Sequence, residues 1–277
     1  MESNSGTRRG GERARLAGVL AAGLILAIAS GCATTQPVDD ELRTVTKAHA
    51  RRDLGIDYLS SNKTAMAIRE LRASLEEDPT DPQTHLWLGE AYRRKRESEQ
   101  ALEAFETAAK LASEIKDIQV EQDARLNLSG LLSQMGRHEE AIPHCEALAK
   151  DPTFTSPWRP LTNCAWAFIQ LGRYDEARAR LVQAIEFFPR FGPALLNLGI
   201  LETKQGHNLA AVVALEKAIA SERLDGSGRS EASFRLGEIF VSLGDREKAI
   251  AHFRAAAEAG PMLEWGSQSQ AYLDLLH

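Results

Sequence analysis

The block Leu54-Gly55-x-x-Tyr58 returns 34 residues later as Leu88-Gly89-x-x-Tyr92, and no other feature of the chain restricts its fold as strongly. Recurrence at a fixed period of tens of residues means that one supersecondary unit has been copied, each copy stable only when stacked on its neighbours. Four further copies keep the frame. They are Leu128, Ser129, Leu132, Gly136, Ala141 and Cys145; Cys164, Ala165, Phe168, Gly172, Ala177 and Leu181; Leu198, Gly199, Gly206, Ala211 and Leu215; and Leu236, Gly237, Phe240, Gly244, Ala249 and Phe253. The units start near residues 48, 82, 122, 158, 192 and 230, so successive spacings are 34, 40, 36, 34 and 38. Small residues at the eighth and twentieth positions let neighbouring segments approach closely, and the large apolar residues fill in around them.

This pattern resembles the tetratricopeptide repeat, whose 34-residue unit is a pair of antiparallel helices. The resemblance implies an all-α fold: a right-handed superhelical solenoid of six repeats, near 48–81, 82–121, 122–157, 158–191, 192–229 and 230–263, within a domain spanning 47–277. Gly136, Gly172, Gly206 and Gly244 mark the turns inside repeats, and Pro79, Pro189 and Pro261 end second helices. The extra residues around 113–122, 153–157 and 224–229 are expected to lengthen loops or second helices. Pro143 falls near the start of a second helix, and residues 264–277, with Tyr272, Leu273, Leu275 and Leu276, read as a helix capping the last repeat.

The N-terminus reads as an address. Arg8, Arg9, Arg13 and Arg15 precede an uncharged apolar run over residues 16–29, shorter than the ~20 residues a spanning helix needs, which is the layout of a cleaved export signal over residues 1–31. The run ends in Ala29-Ser30-Gly31-Cys32, which resembles the lipobox of bacterial lipoproteins and implies lipidation at Cys32. Ala33 after the cysteine, by the same resemblance, implies sorting to the outer membrane, anchored on its periplasmic face. Residues 32–46 read as the lipidated cysteine and a short polar tether.

Charge and motif content narrow the function. The chain carries net charge −6, and removal of residues 1–31 leaves −8, which argues against nucleic acid as a partner. There is no nucleophile elbow, Walker loop, dinucleotide fingerprint or H-E-x-x-H, so neither an enzyme, a cofactor, a small-molecule substrate nor a metal site is expected. His138 and His144 lack the i, i+4 facing of a metal pair. Cys145 and Cys164 take packing positions in adjacent repeats. In an oxidising compartment a disulfide between them would contribute roughly 3 kcal/mol by loop closure, and the alternative is two buried thiols acting as small hydrophobes.

In tetratricopeptide arrays the first helices line a concave groove, through the second, fifth, ninth, twelfth and thirteenth positions. Carried onto this sequence those positions give Ile56, Leu59, Leu86, Leu126, Trp166, Ile169, Leu196, Ile200, Phe234 and Val241, interleaved with polar residues that include Arg93 and Arg159. An apolar stripe of that extent implies a helix or extended apolar segment as partner; the alternative is that superhelical curvature packs neighbouring first helices together and buries some of these residues, expected for about half of them, with Trp166 and Leu86 expected to stay available. The dense basic run from Arg93 to Arg96 suits a helix C-terminus or an acidic partner. A lipobox, a tether and six such repeats resemble the pilotin lipoproteins of type IV pilus assembly. The first repeat, from Leu54-Gly55 through Leu75, Asp78, Pro79 and His85, carries the likeness. The resemblance implies an assembly factor that receives an apolar segment of the outer-membrane secretin subunit. Repeat lipoproteins serving β-barrel assembly or cell-wall enzymes share the architecture and form the alternative.

Overall fold

The computed structural model describes residues 37–221 and 223–276, and the chain divides into two compact units, 1–46 and 47–277. Cys32 and the expected export signal therefore lie outside the described residues. In the first unit the described residues, 37–46, are helical and belong to α1 (Pro37–Ser60). The part of the expected tether that is described is thus helical. Proline has its φ preset for a first helical turn. None of the described helices is long and apolar enough to cross a membrane.

The second unit is built from helices alone among the described residues. After α1 come α2 (Thr64–Glu77), α3 (Pro82–Lys95), α4 (Ser98–Ile115), α5 (Ile118–Gln134), α6 (His138–Lys150) and α7 (Trp158–Gln170). They are followed by α8 (Tyr174–Phe187), α9 (Gly192–Lys204), α10 (Asn208–Ile219), α11 (Gly226–Ser242), α12 (Arg246–Ala259) and α13 (Glu264–Leu276). From α2 onward each helix packs on the next, and the odd-numbered first helices also pack on one another from α3 through α11, which makes a solenoid of helix pairs.

The packing is read from the eighth position of each repeat. A Cβ added to Gly89 would lie 2.6 Å from the Phe105 ring, and one added to Gly237 would lie 2.6 Å from Phe253. Both rings are fully buried, so the missing side chain is what lets each ring sit on the partner helix. The turn at position fifteen needs a left-handed residue: Gly136, Gly172, Gly206 and Gly244 have φ between +74° and +77°, and Asn62 and Arg96 hold φ 59° and 63° there in the first two repeats. α13 closes the far end, where Trp265 and Tyr272 pack around Phe234 with ring centroids at 5.2 and 5.7 Å.

Two first helices begin earlier than the repeat frame places them. α5 starts at Ile118 and α11 at Gly226, so part of the extra sequence expected in loops or second helices forms an added turn of a first helix. The cause is capping. The Asp117 carboxylate accepts from the Val120 N–H at 3.1 Å and that of Asp225 from the Gly228 N–H at 2.8 Å. Such N-caps each stabilise a helix start by ~1 kcal/mol. The additions at 113–115 do extend a second helix, α4, and 153–157 form a loop. α6 runs through Pro143 without ending.

Candidate functional site: the first-helix groove

The residues chosen from the consensus do not form an apolar surface. Leu59, Leu86, Leu126, Ile169, Leu196, Ile200 and Phe234 are buried, Ile56, Arg93 and Trp166 are half-buried, and of the eleven only Val241 is exposed, at 43%. Superhelical stacking explains the correction: neighbouring first helices close on one another and take the fifth, ninth and twelfth positions into the contact. Leu86, expected to stay available, is 8% exposed. Val241 occupies the twelfth position of the last repeat, which has no following first helix to cover it.

The open surface between these helices mixes polar and apolar groups, with Leu126, Leu131 and Pro193 among its walls. A cleft of about 240 Å³ lies among Arg93 on α3, Asn127, Gly130 and Gln134 on α5, and Arg159 and Asn163 on α7, with Phe191 at the entry to α9 forming one wall. Phe191 stacks on Phe188 at 5.8 Å, and Phe188 meets Trp158 edge-on at 5.3 Å, so that wall is a braced aromatic step. Arg159 is exposed and makes no ion pair within the described residues. Arg93, by contrast, grips Glu90 with both teeth of its fork, at 2.8 and 2.9 Å. Burial works to raise the Glu90 carboxyl, and the bonds from Arg93 and Arg94 outweigh it and hold it below the usual carboxylate range. The basic run is thus largely consumed inside the fold. Arg94 also donates to the Leu59 carbonyl at 2.7 Å, and Lys95 pairs with Glu97 at 2.7 Å.

Asn127, Asn163 and Asn197 were not singled out from the sequence, although a signal was there: each is the sixth residue of its repeat. Asn127 donates to the Asp123 carbonyl at 3.0 Å, Asn163 to the Ser129 hydroxyl at 2.8 Å, and Asn197 to the Thr162 carbonyl at 3.4 Å. The last two bonds tie one repeat to the one before it and fix the amide orientation.

Elsewhere the ionisable groups serve structure. Glu202, at an eleventh position where other repeats carry Tyr, Phe or Leu, is buried and accepts from Arg178 at 3.0 Å, with His207 Nδ1 at 2.9 Å from the same carboxylate. The bond from Arg178 holds its carboxyl below the ordinary value. Burial raises the Glu238 carboxyl. Burial also lowers His144, as does nearby Arg125, and the His144 Nδ1 is enclosed without a partner. No group of His, Cys, Asp or Glu among the described residues is arranged to hold a metal ion. Cys145 on α6 and Cys164 on α7 are joined by a disulfide, with Cα atoms 5.6 Å apart, which pins repeat three to repeat four directly behind the cleft.

A solenoid of helix pairs with small residues at the eighth position and left-handed turns at the fifteenth defines a class. Models of the tetratricopeptide repeat match residues 52–114, 92–153 and 196–262, with a second such model over 132–199, and the chain belongs to this family. Its sequence is similar to the Type IV pilus assembly protein PilF of Pseudomonas aeruginosa, 28% identical over 170 residues that make up 60% of this chain and 63% of that protein. The chain thus matches just under two thirds of that relative's length. Its fold is that of PilW, a type IV pilus biogenesis factor, at TM-score 0.67 and 18% identity over 80% of this chain and 97% of PilW. The solved structure of Pseudomonas aeruginosa PilF has the same fold, at TM-score 0.63 and 18% identity over 83% of this chain and 99% of that one. The protein is a tetratricopeptide-repeat protein similar in sequence to a type IV pilus assembly protein and in fold to PilW.

Proposed function

We propose that this protein is a pilotin: a non-catalytic, lipid-anchored factor that helps the secretin subunit of type IV pili assemble in the outer membrane. The observation that carries the reading is the sequence similarity to a type IV pilus assembly protein across most of the repeat array. The Ala29-Ser30-Gly31-Cys32 sequence supports the anchor. Acyl chains on Cys32 hold the protein to the periplasmic face of the outer membrane, each buried CH₂ contributing ~0.8 kcal/mol. With residues 1–31 removed the net charge of −8 gives no attraction to anionic lipid, so the lipid alone does the anchoring. The repeats hold the subunit until multimers form.

The test is deletion of the gene in its native cell, followed by blotting of unboiled membranes for the heat-resistant secretin multimer. Loss of multimer with monomer remaining is the expected result. Unchanged multimers and pili would overturn the reading and turn attention to a barrel-assembly or cell-wall partner.

A further inference from the structure

We infer that the edge of the solenoid formed by the connections between repeats lies against the bilayer surface, so that the acyl chains anchor the protein and this edge orients it. The inference rests on the reading of the protein as lipid-anchored, and it names the surface that faces the lipid.

In a stack of helix pairs the turns inside repeats line one edge and the connections between repeats line the other. The two edges treat charge differently. In the turns, Arg96 apart, the cations are engaged: Lys63 stands over the Tyr58 ring, Arg137 pairs with Glu140, Arg173 with Glu176, and Arg246 donates to the Leu276 carbonyl. In the connections it is the carboxylates that are engaged. Asp78, Asp117, Asp151 and Asp225 accept from the main-chain N–H groups of Thr80, Val120, Thr153 and Gly228. Lys116, Arg159, Arg190 and Arg223 are exposed there and make no ion pair among the described residues.

The same connections carry large apolar side chains that the core leaves out. Ile115 and Ile118, on either side of Lys116, and Phe187 are more than half exposed, and Met262 is almost fully exposed. Around Phe187 the edge is densest: the Arg223 guanidinium lies over the Phe188 ring at 5.3 Å, within the aromatic step that Phe188 builds with Trp158 and Phe191. Leu209 and Leu243 are exposed at the opposite edge, but the neighbouring His207 and Arg246 are bound within the fold.

Apolar tips on separate connections, with cations beside them, form a row and not a pocket. Aromatic and aliphatic tips accompanied by Arg and Lys are the composition of an interfacial contact, in which the tips dip below the headgroups and the cations meet phosphate. A protein partner selects a contiguous, desolvated patch instead. Charge points to the same occupant. A molecule of net charge −8 after removal of residues 1–31 is repelled by anionic lipid as a whole, so it approaches through the edge whose cations are free. Exposed carboxylates at Glu114, Glu186 and Glu264 stand beside the tips, so burial of the tips supplies most of the attraction.

The experiment uses the full chain purified from bacterial membranes, with an excess of vesicles made of phosphatidylethanolamine and phosphatidylglycerol. An environment-sensitive fluorophore is attached at Ile118→Cys or Met262→Cys on this edge, and at Lys63→Cys or Leu209→Cys on the opposite one. The unsubstituted chain serves as the blank, and flotation is read on the same samples. The labels at 118 and 262 should shift to shorter wavelength and be quenched by brominated lipid, while those at 63 and 209 stay water-like. Phe187→Ser combined with Arg190→Glu and Arg223→Glu, all at exposed positions, should lower the ratio of lipid-facing to free orientations by about tenfold or more and leave flotation unchanged. Equal response from both edges, a variant that responds like wild type, or water-like edge labels on a chain that floats would overturn the inference and leave the anchor standing. A chain that does not float but whose edge labels respond to excess lipid upholds the edge and removes the anchor; failure of both removes both. Edge labels that respond only when native outer membranes replace pure lipid assign the edge to a protein partner and overturn the inference.

Discussion

Gly89 and Gly130 occupy the interiors of first helices one repeat apart, and the same substitution should move stability in opposite directions at the two sites. In Gly89→Ala the new methyl would stand 2.6 Å from Phe105 Cδ1 and 2.7 Å from Cε1. Phe105 is 0% exposed and cannot swing aside. Overpacking of this kind costs ~1–3 kcal/mol, and alanine's better helix propensity returns ~1 kcal/mol, so the net loss is up to about 2 kcal/mol. In Gly130→Ala the methyl meets the Asn163 amide at 3.7 Å, an ordinary contact, and only the propensity gain remains, about 0.5–1 kcal/mol of stabilisation. A domain of this size shifts ~2–4 °C per kcal/mol, so the two variants should melt several degrees apart, on either side of wild type. Thermal melts followed by far-UV circular dichroism, with urea midpoints as a second measure, decide the matter. A Gly130→Ala protein that loses as much stability as Gly89→Ala would refute the reasoning and make Gly130 a packing residue.

Three further outcomes follow from particular contacts. Breaking the disulfide with Cys145→Ser and Cys164→Ser should cost roughly 3 kcal/mol by loop closure over a separation of 19 residues, read as a lower urea midpoint that reductant then leaves unchanged. Pro143→Ala should stabilise α6 by roughly 2 kcal/mol, because it restores an N–H able to bond the Glu139 carbonyl and removes a ring clash; an unchanged urea midpoint would show that α6 has already adapted to the proline. His144 has its folded pKa depressed below 6.5, so its contribution is present above that pH and is lost as pH falls through and below it. Urea midpoints should therefore drop between about pH 7 and pH 5, and His144→Phe should flatten that drop; an equal drop in the variant would locate the effect elsewhere.

The helix pairs, their turns and the capping helix were legible because the residues that specify them act within one repeat. Gly89 faces Phe105 sixteen residues on, and Gly206 or Gly244 meets its backbone demand alone. The groove was legible only in part, because its surface is decided between repeats. Leu86 and Leu196 lie in clusters that reach into neighbouring repeats, whereas Leu126 at the same position is buried with Leu148 and Phe154 of its own repeat. What that burial leaves outside is the sixth-position asparagine row and Gly130, residues that an argument from hydrophobic patterning passes over. The early starts of α5 and α11 were written locally, in Asp117 and Asp225, but the repeat frame drew the boundaries four residues later.

The most direct test of the account places a photo-crosslinking amino acid at Gln134, exposed on the cleft wall, and in a parallel strain at Leu209, 78% exposed on α10. Both proteins are expressed from the native locus and irradiated in living cells. The account predicts an adduct containing the secretin subunit from Gln134 and none from Leu209. Adducts with other proteins alone, or an equal secretin yield from both positions, would contradict it.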